Sequence, residues 1–497
     1  MKIAICNPPL KGPGVPLLSQ NRQFQWFRSP LSSYVIYPVI PASAATLLKS
    51  KGYRVFWLDY VAEKRTYKEF ADQIDKQSID LIAIESKTPV IQQHWQIINN
   101  LKRRFPKIIC ILMGDHVTAL PAESFEKSKV DYVICGGDYD FLLLNIIEFL
   151  NKKKKVLEPG IYFKDVKGRI KNAIQRRIVH DLNKLPLIDR KLTKWELYSV
   201  GNGNFKYTPN TYTMAGRDCW WRRNSLQGGV GCTFCSWTTL FSDWRVVKPE
   251  RLLDEVGYLT GLGIKEIFDD TGTFPIGLWL KKFCQGMIRR GYNKKIVFGC
   301  NMRAGALVEK DFQLMKKAGF RFILYGLESV NQRTLDRLNK GTTAKVLENS
   351  LKMAKQAGLE PHVTVMFGYP WETKEEVKKT VEFTHSLFEK GYIDTLQATL
   401  LIPYPGTALY KEAVRNNWLK TSNYERFDMS EPILKTRLTG AELKKAIRNC
   451  YNSFWSVGFM KRKIFSIRNV QDVKFLVFLA VKYLSKLLDF QPKKNEN

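Results

Sequence analysis

Along the first 150 residues, short apolar runs alternate with segments whose apolar positions recur every three or four residues. Lys2–Cys6, Arg54–Leu58, Leu81–Ile84, Ile108–Met113 and Tyr132–Ile134 read as strands apolar on both faces. Asn7-Pro8-Pro9 turns the chain out of the first strand, and Gly52 closes a helix predicted over Pro41–Lys51. Strand and helix in regular alternation predict an α/β domain over 1–150, a Rossmann-like, doubly wound parallel sheet. Ligands of such sheets bind beyond the carboxyl ends of the strands. That rule selects Asn7 and Pro8, Ser86 in the loop Glu85–Pro89, Gly114-Asp115-His116, and Gly136-Gly137-Asp138. No Gly-x-Gly-x-x-Gly follows a strand, so a nicotinamide cofactor is not expected.

The alternation resumes after a break. Residues 151–210 hold the run Lys152–Lys155, a hairpin predicted over Gly160–Ile174 and the proline-containing strap Asp181–Arg190, the pattern of a connector. From 211 to 407, strands are predicted at Thr211–Met214, Glu266–Asp269, Ile296–Cys300, Phe322–Tyr325, His362–Phe367 and Gln397–Leu401. Helices fall between them at Glu250–Thr260, Gly277–Arg290, Glu309–Ala318, Ala344–Ala357 and Lys374–Lys390. Six such repeats predict a partial (β/α)6 barrel, with its chemistry at the strands' carboxyl ends. Residues 408–497 read as mostly helical. Within them Gln471–Phe490 places Val473, Phe475, Leu476 and Leu479 among Lys474, Lys482 and Lys486. Such a helix either lies peripherally on an anionic membrane or packs on its own domain.

The candidate chemistry follows the first barrel strand. Cys219-Trp-Trp is separated by twelve residues from Cys232-Thr-Phe-Cys235, in a loop that also carries Arg222, Arg223, Gly228, Gly229 and Gly231. A closed structural zinc site takes four protein ligands, whereas three leave a position open. No histidine lies between residues 181 and 361 to act as a local fourth. On spacing alone an open iron–sulfur cluster, a zinc site and a redox pair all remain.

Composition narrows the setting. A length of 497 residues suits two or three domains, and 79 basic against 47 acidic residues give a net charge of +32. An anionic partner is expected: a phosphate-bearing or lipid-like substrate, or a lipid surface. The basic residues are dispersed, as in Lys102-Arg103-Arg104 and Lys461-Arg462-Lys463, and no nucleic-acid module is recognisable, so specific nucleic-acid binding is not expected. Nine cysteines without a framework pattern, and an opening Met-Lys-Ile-Ala-Ile-Cys that reads as a strand and not a signal peptide, lead to the expectation of a reducing cytoplasmic location.

Further stretches carry a family signature: Phe268-Asp-Asp270, Asn301-Met-Arg303, Tyr325-Gly-Leu-Glu-Ser329, Leu338-Asn-Lys-Gly341, Met366-Phe-Gly-Tyr-Pro370 and Pro403-Tyr-Pro-Gly-Thr407. With the cysteines they make residues 211–407 resemble the radical S-adenosylmethionine enzymes. Residues 1–190 resemble the cobalamin-binding domain that precedes that barrel in one branch. The resemblance implies a [4Fe–4S] cluster on Cys219, Cys232 and Cys235, with S-adenosylmethionine on its open iron and reductive formation of a 5′-deoxyadenosyl radical. It implies Phe234 against the adenine, Arg303 and Glu328 near the methionine or ribose part, and Gly368 and Pro370 at the later turn. A strand-end ion pair is the alternative for Arg303 and for Glu328. For Asp269-Asp270 a capping role stands beside substrate or cofactor binding. The first gap departs from the usual Cys-x-x-x-Cys-x-x-Cys, which makes Cys284 and Cys300 spare candidates, although both are expected to be buried structural thiols. The Asp-x-His-x-x-Gly motif is absent, so His116 is expected to line a corrin pocket and not to ligate cobalt. The expected activity is methylation of an unactivated carbon in a biosynthetic intermediate, with flavodoxin or ferredoxin as electron donor. A cobalamin-dependent cyclase or rearrangement enzyme and a non-catalytic scaffold are the alternatives.

Overall fold

The computed structural model describes residues 1–18, 24–28, 34–172, 180–199, 205–224 and 231–489. A seven-stranded sheet forms from the first third, in the order Arg54–Asp59, Lys2–Asn7, Leu81–Glu85, Ile109–Met113, Tyr132–Ile134, Ile161–Lys164, Ile170–Asn172. The first five strands pair in parallel. Alternate side chains explain why both faces must be covered. Ile3 and Ile5 enter one core with Ala44, Leu48 and Leu143, while Ala4 and Cys6 enter another with Phe70 and Ile98. The predicted hairpin is no free-standing part of a connector, because its strands extend this sheet antiparallel, with Tyr132 opposite Phe163. Ala173 and Ile174 lie outside the described residues.

The second sheet has six strands in sequence order, Asn210–Thr213, Glu266–Asp269, Val297–Met302, Phe320–Glu328, Glu360–Phe367 and Thr395–Leu400. All neighbours are parallel, so the sheet is an open half-barrel with helices outside. Phe274, Phe283, Phe298 and Phe320 pack in its core with ring centroids 5–6 Å apart, and Phe268 packs on Phe322. Each such ring contributes about 1.5–3 kcal/mol of burial. The helix Lys374–Glu389 starts at a capping box, Thr373 receiving Glu376 N–H while the Glu376 carboxylate receives Thr373 N–H.

Polar groups weld the two sheets together. Arg190, in the strap, is fully buried; it donates to Thr211 Oγ1 (2.9 Å) and Tyr212 O (3.0 Å), pairs with Glu255 and stacks on Tyr37. Arg217 donates to Gly137 O (2.7 Å) and to the Asp140 carboxylate (2.7 Å). Arg245 grips Asp138 with both terminal nitrogens, at 2.8 and 2.7 Å.

Four helices follow the half-barrel: Ala408–Arg415, Gly440–Asn452, Val457–Phe465 and Val470–Asp489. The last crosses the amino ends of the strands, where Asp472 pairs with Lys206 and Gln471 donates to Lys206 O. One element had no clear sequence signal. Val15–Leu18 and Phe24–Phe27 pair antiparallel, and Leu17 reaches the carboxyl end of the half-barrel.

Candidate functional site

A cavity of about 180 Å³ opens at the carboxyl ends of the half-barrel strands, and Cys219, Cys232 and Cys235 all line it. Their loop is held from across the barrel. Trp221 Nε1 donates to Asn339 O (2.8 Å), Asn339 Nδ2 donates to Gly231 O (2.7 Å), and Thr233 N donates to Leu338 O (3.0 Å). Gly341 is required beside this contact: it has φ +59°, and a Cβ there would lie 2.0 Å from the Trp221 ring. Leu338-Asn-Lys-Gly341 is therefore the support of the thiol loop. Gly228 and Gly229 lie outside the described residues.

Among the described residues no three His, Cys, Asp or Glu side chains converge tightly enough for one metal ion. An iron–sulfur cubane does not ask for that, since each thiolate binds a different iron. Three thiols on one cavity wall, in a chain segment with no histidine, fit such a cluster with one iron left open. Burial pushes the Cys219 thiol up to about 11, against the pull of Arg303 and of Thr273, whose hydroxyl is 3.0 Å from the sulfur. Metal binding would displace that proton. The spare cysteines do not compete. Cys284 and Cys300 are fully buried away from the cavity, and burial pushes the first up to about 12 and the second well above the ordinary thiol range.

Around the thiols the predicted residues separate into two groups. Phe234, Arg303 and Glu328 line the cavity. Arg303 lies 4.1 Å over the Trp221 ring, brings Nη1 to 3.8 Å from Cys232 Sγ and donates to Lys340 O. Glu328 occupies a bulged strand end at φ +66° and accepts from Lys340 Nζ (2.7 Å), which also faces Phe234. The ion-pair alternative thus describes Glu328, whose partner is Lys340, but not Arg303. Gly368 and Pro370 form the turn after the fifth strand and do not line the cavity. Asp269 accepts from Ala215 N (2.6 Å) and Thr271 N (3.1 Å), the structural role, and burial raises its carboxyl to about 7. Sequence reading missed Thr364, Gln397 and Thr399, which supply polar groups to the far wall; single strand positions carry no motif.

The first sheet's carboxyl edge borders a second cavity of about 40 Å³, lined by Asn7, Asp59, Glu85 and Lys87. Lys87 is buried between Asp115 (3.5 Å) and Glu85 (3.7 Å), while Ser86 Oγ is 2.7 Å from His94 Nδ1. Gly114, at φ +127°, lets its backbone meet Ser86 O where a Cβ would clash at 2.1 Å. Asn7 Oδ1 and the Tyr139 hydroxyl are buried with no hydrogen-bond partner among the described residues, the condition of a surface made for a polar ligand. Pro8 is buried beside it. His116 points elsewhere, with Nδ1 3.3 Å from Thr88 and Nε2 facing Glu123, and its ring packs on Tyr424. Gly136 and Gly137, predicted as a ligand loop, lie at the junction instead: Gly136 N donates to Thr118, and Gly137 N donates to Leu240 O. Their partners are distant in sequence, so no local pattern announces them. Ile36 lines both cavities.

A Rossmann-like sheet joined to an open half-barrel, with three thiols on one cavity, defines an α/β protein whose half-barrel mouth is the candidate site. The family model Radical SAM superfamily matches residues 229–384, so that stretch is a radical S-adenosylmethionine domain. It is 26% identical to an uncharacterised methyltransferase of Pyrococcus horikoshii, over 80% of this chain and 83% of that one. It is 25% identical to the anaerobic magnesium-protoporphyrin IX monomethyl ester cyclase of Cereibacter sphaeroides, over 84% of this chain and 66% of that one. In fold it is similar to the cobalamin-dependent S-adenosylmethionine radical enzyme OxsB, with a TM-score of 0.69, 14% identity and coverage of 98% of this chain and 72% of that one. It is also similar to the radical S-adenosylmethionine methyltransferase TsrM from Kitasatospora setae, with a TM-score of 0.67, 15% identity and coverage of 98% and 99%. The domain implies a [4Fe–4S] cluster and S-adenosylmethionine.

Proposed function

We propose that the protein is a cobalamin-dependent radical S-adenosylmethionine methyltransferase acting on an unactivated carbon of a small or lipid-like biosynthetic intermediate. The observation that carries it is the convergence of three thiols on a cavity that the N-terminal region also walls, through Leu17, Tyr34 and Ile36. Bound together, the cluster, S-adenosylmethionine and cobalamin supply one-electron cleavage, hydrogen abstraction and a transferable methyl group.

The chain's own residues do the rest. Cys219, Cys232 and Cys235 hold the cluster, and Arg303 sets a positive charge beside Cys232. Phe234 offers an apolar face, and the Glu328–Lys340 pair offers a donor and an acceptor of opposite charge to an amino acid group or ribose. Asn7, Pro8, Ser86, Gly114 and Asp115 form the cobalamin surface. Val35, Ile36 and Pro38 border the cavity there. Gly136 and Gly137 support that surface from the junction. The reading includes flavodoxin or ferredoxin as electron donor, a cytoplasmic location and peripheral membrane contact through 471–490, of which residue 490 lies outside the described residues. The cyclase among the relatives supports oxidative ring formation as the second reading.

The test is anaerobic reconstitution with iron, sulfide and hydroxocobalamin, followed by metal analysis and dithionite-dependent cleavage of S-adenosylmethionine. About four irons, one cobalt and 5′-deoxyadenosine are expected per chain. Iron and cleavage without cobalt would overturn the cobalamin assignment. Absence of both metals would sink the enzyme reading and revive the scaffold.

A further inference from the structure

The last two described helices are amphipathic twice over. One side of each packs inward. Phe459 is buried against Phe388, Tyr483 is buried against Tyr451, and the buried Asp472 pairs with Lys206 at 2.5 Å. The opposite side of each carries a second apolar stripe in water. On Val457–Phe465 it is Val457, Met460 and Ile464, spaced three and four apart, followed by Phe465 at 87% exposure. On Val470–Asp489 it is Val470 (70% exposed), Val473, Val477 and Leu484. Scattered exposed apolar residues are ordinary, but a stripe on each of two consecutive helices is more than scatter.

Charge decides what covers it. Between Val457 and Leu484 the only acidic residue is Asp472, which is buried. Lys461, Arg462, Arg468 and Lys474 are exposed among the apolar side chains. A second copy of the chain would bring a cationic face onto a cationic face, and an ordinary protein groove offers no continuous negative field. An anionic lipid leaflet matches both features, apolar side chains entering the acyl boundary and cations meeting phosphates. No described helix is long and apolar enough to cross a membrane, so the surface can only lie on one.

We propose that Val457–Phe465 and Val470–Asp489 form a docking surface for an anionic lipid bilayer. The helices cover the amino ends of the barrel strands, over a cavity of about 680 Å³ in which Lys206, Arg321 and Lys355 pair with Asp472, Glu360 and Asp394. The thiol cavity opens at the carboxyl ends. Docking therefore holds the catalytic mouth away from the bilayer: the surface localises the protein, and substrate enters from the aqueous side. This inference deepens the membrane contact included in the proposed function and depends on none of the cofactors the mouth holds.

The experiment is flotation of the full-length, iron-loaded protein with vesicles of phosphatidylcholine alone and of phosphatidylcholine with phosphatidylglycerol. Flotation with the anionic vesicles only, reversed by high salt, is expected. The double variant Lys461→Glu, Lys474→Glu, whose sites touch no core, should weaken binding by at least about tenfold at roughly fivefold per lysine. Phe465→Asp with Val473→Asp should abolish it, with iron content and S-adenosylmethionine cleavage unchanged. Wild-type protein that fails to float, equal binding to neutral vesicles, or binding unaffected by both variants would overturn the proposal. So would self-association in sedimentation that the same variants disperse.

Discussion

The two cavities face one another across the domain junction and differ in how their polar groups are held. In the smaller, Lys87 is enclosed by two carboxylates and Asp59 by Asn7 and Tyr198, whose hydroxyl donates at 2.6 Å. Its charges are already answered within the protein. In the larger, thiols meet an arginine, and two ion pairs, Glu328–Lys340 and Asp218–Arg222, border open space. A surface that has balanced its own charges suits a large, mostly neutral ligand bound by shape. A wall of three thiols and ion pairs bordering open space suits groups that bring charge with them.

The sharpest way to break that contrast is Cys232→Ala, which should abolish cluster assembly and S-adenosylmethionine cleavage. Cys284→Ala should keep both, at a cost of about 1 kcal/mol of stability, as iron analysis and thermal melting would show. Next comes the junction that holds the cavities in register. Arg217→Ala leaves the fully buried Asp140 carboxylate without its cation and should cost about 3–5 kcal/mol in chemical denaturation. Glu328→Gln removes the charge partner of Lys340. It should raise the KM for S-adenosylmethionine by about tenfold while leaving iron content intact, because a charged hydrogen bond is worth about 1.5–3 kcal/mol.

The smallest effect concerns pH. His180 is stacked on Phe141 and bonded to Asp138 (2.8 Å) and Glu158 (2.9 Å). Burial lowers its pKa, but the two carboxylates outweigh burial and raise it from 6.5 to about 9. A pKa raised on folding stabilises fully below the unfolded value and is lost as pH climbs through the folded one. Melting temperatures should therefore fall from pH 6.5 to pH 9, by the equivalent of about 1 kcal/mol after solvent screening. His180→Gln should flatten that slope.

Much of this was legible in the chain. Glu266–Asp269 and Tyr132–Ile134 match their predicted bounds, and the other strands differ only at their ends, because runs of Ile, Val and Phe between polar turns have few alternative uses. The thiol loop was visible from spacing. What sequence could not show depends on partners remote in the chain. Gly136-Gly137 read as a ligand loop until Arg217 and Leu240 arrived to meet it. Val15–Leu18 and Phe24–Phe27 are four residues each, too short for alternation to identify. Lys340 stood in a recognised stretch, yet its pairing with Glu328 required the bulge that turns Glu328 inward.

Ile36 has its own consequence. Because it lines both chambers, one residue stands between them at that point. Occupants on either side would be within van der Waals reach of the same side chain, so its bulk sets how closely they approach. Trimming it to Ala should widen the passage between the two chambers, and enlarging it to Trp should narrow it.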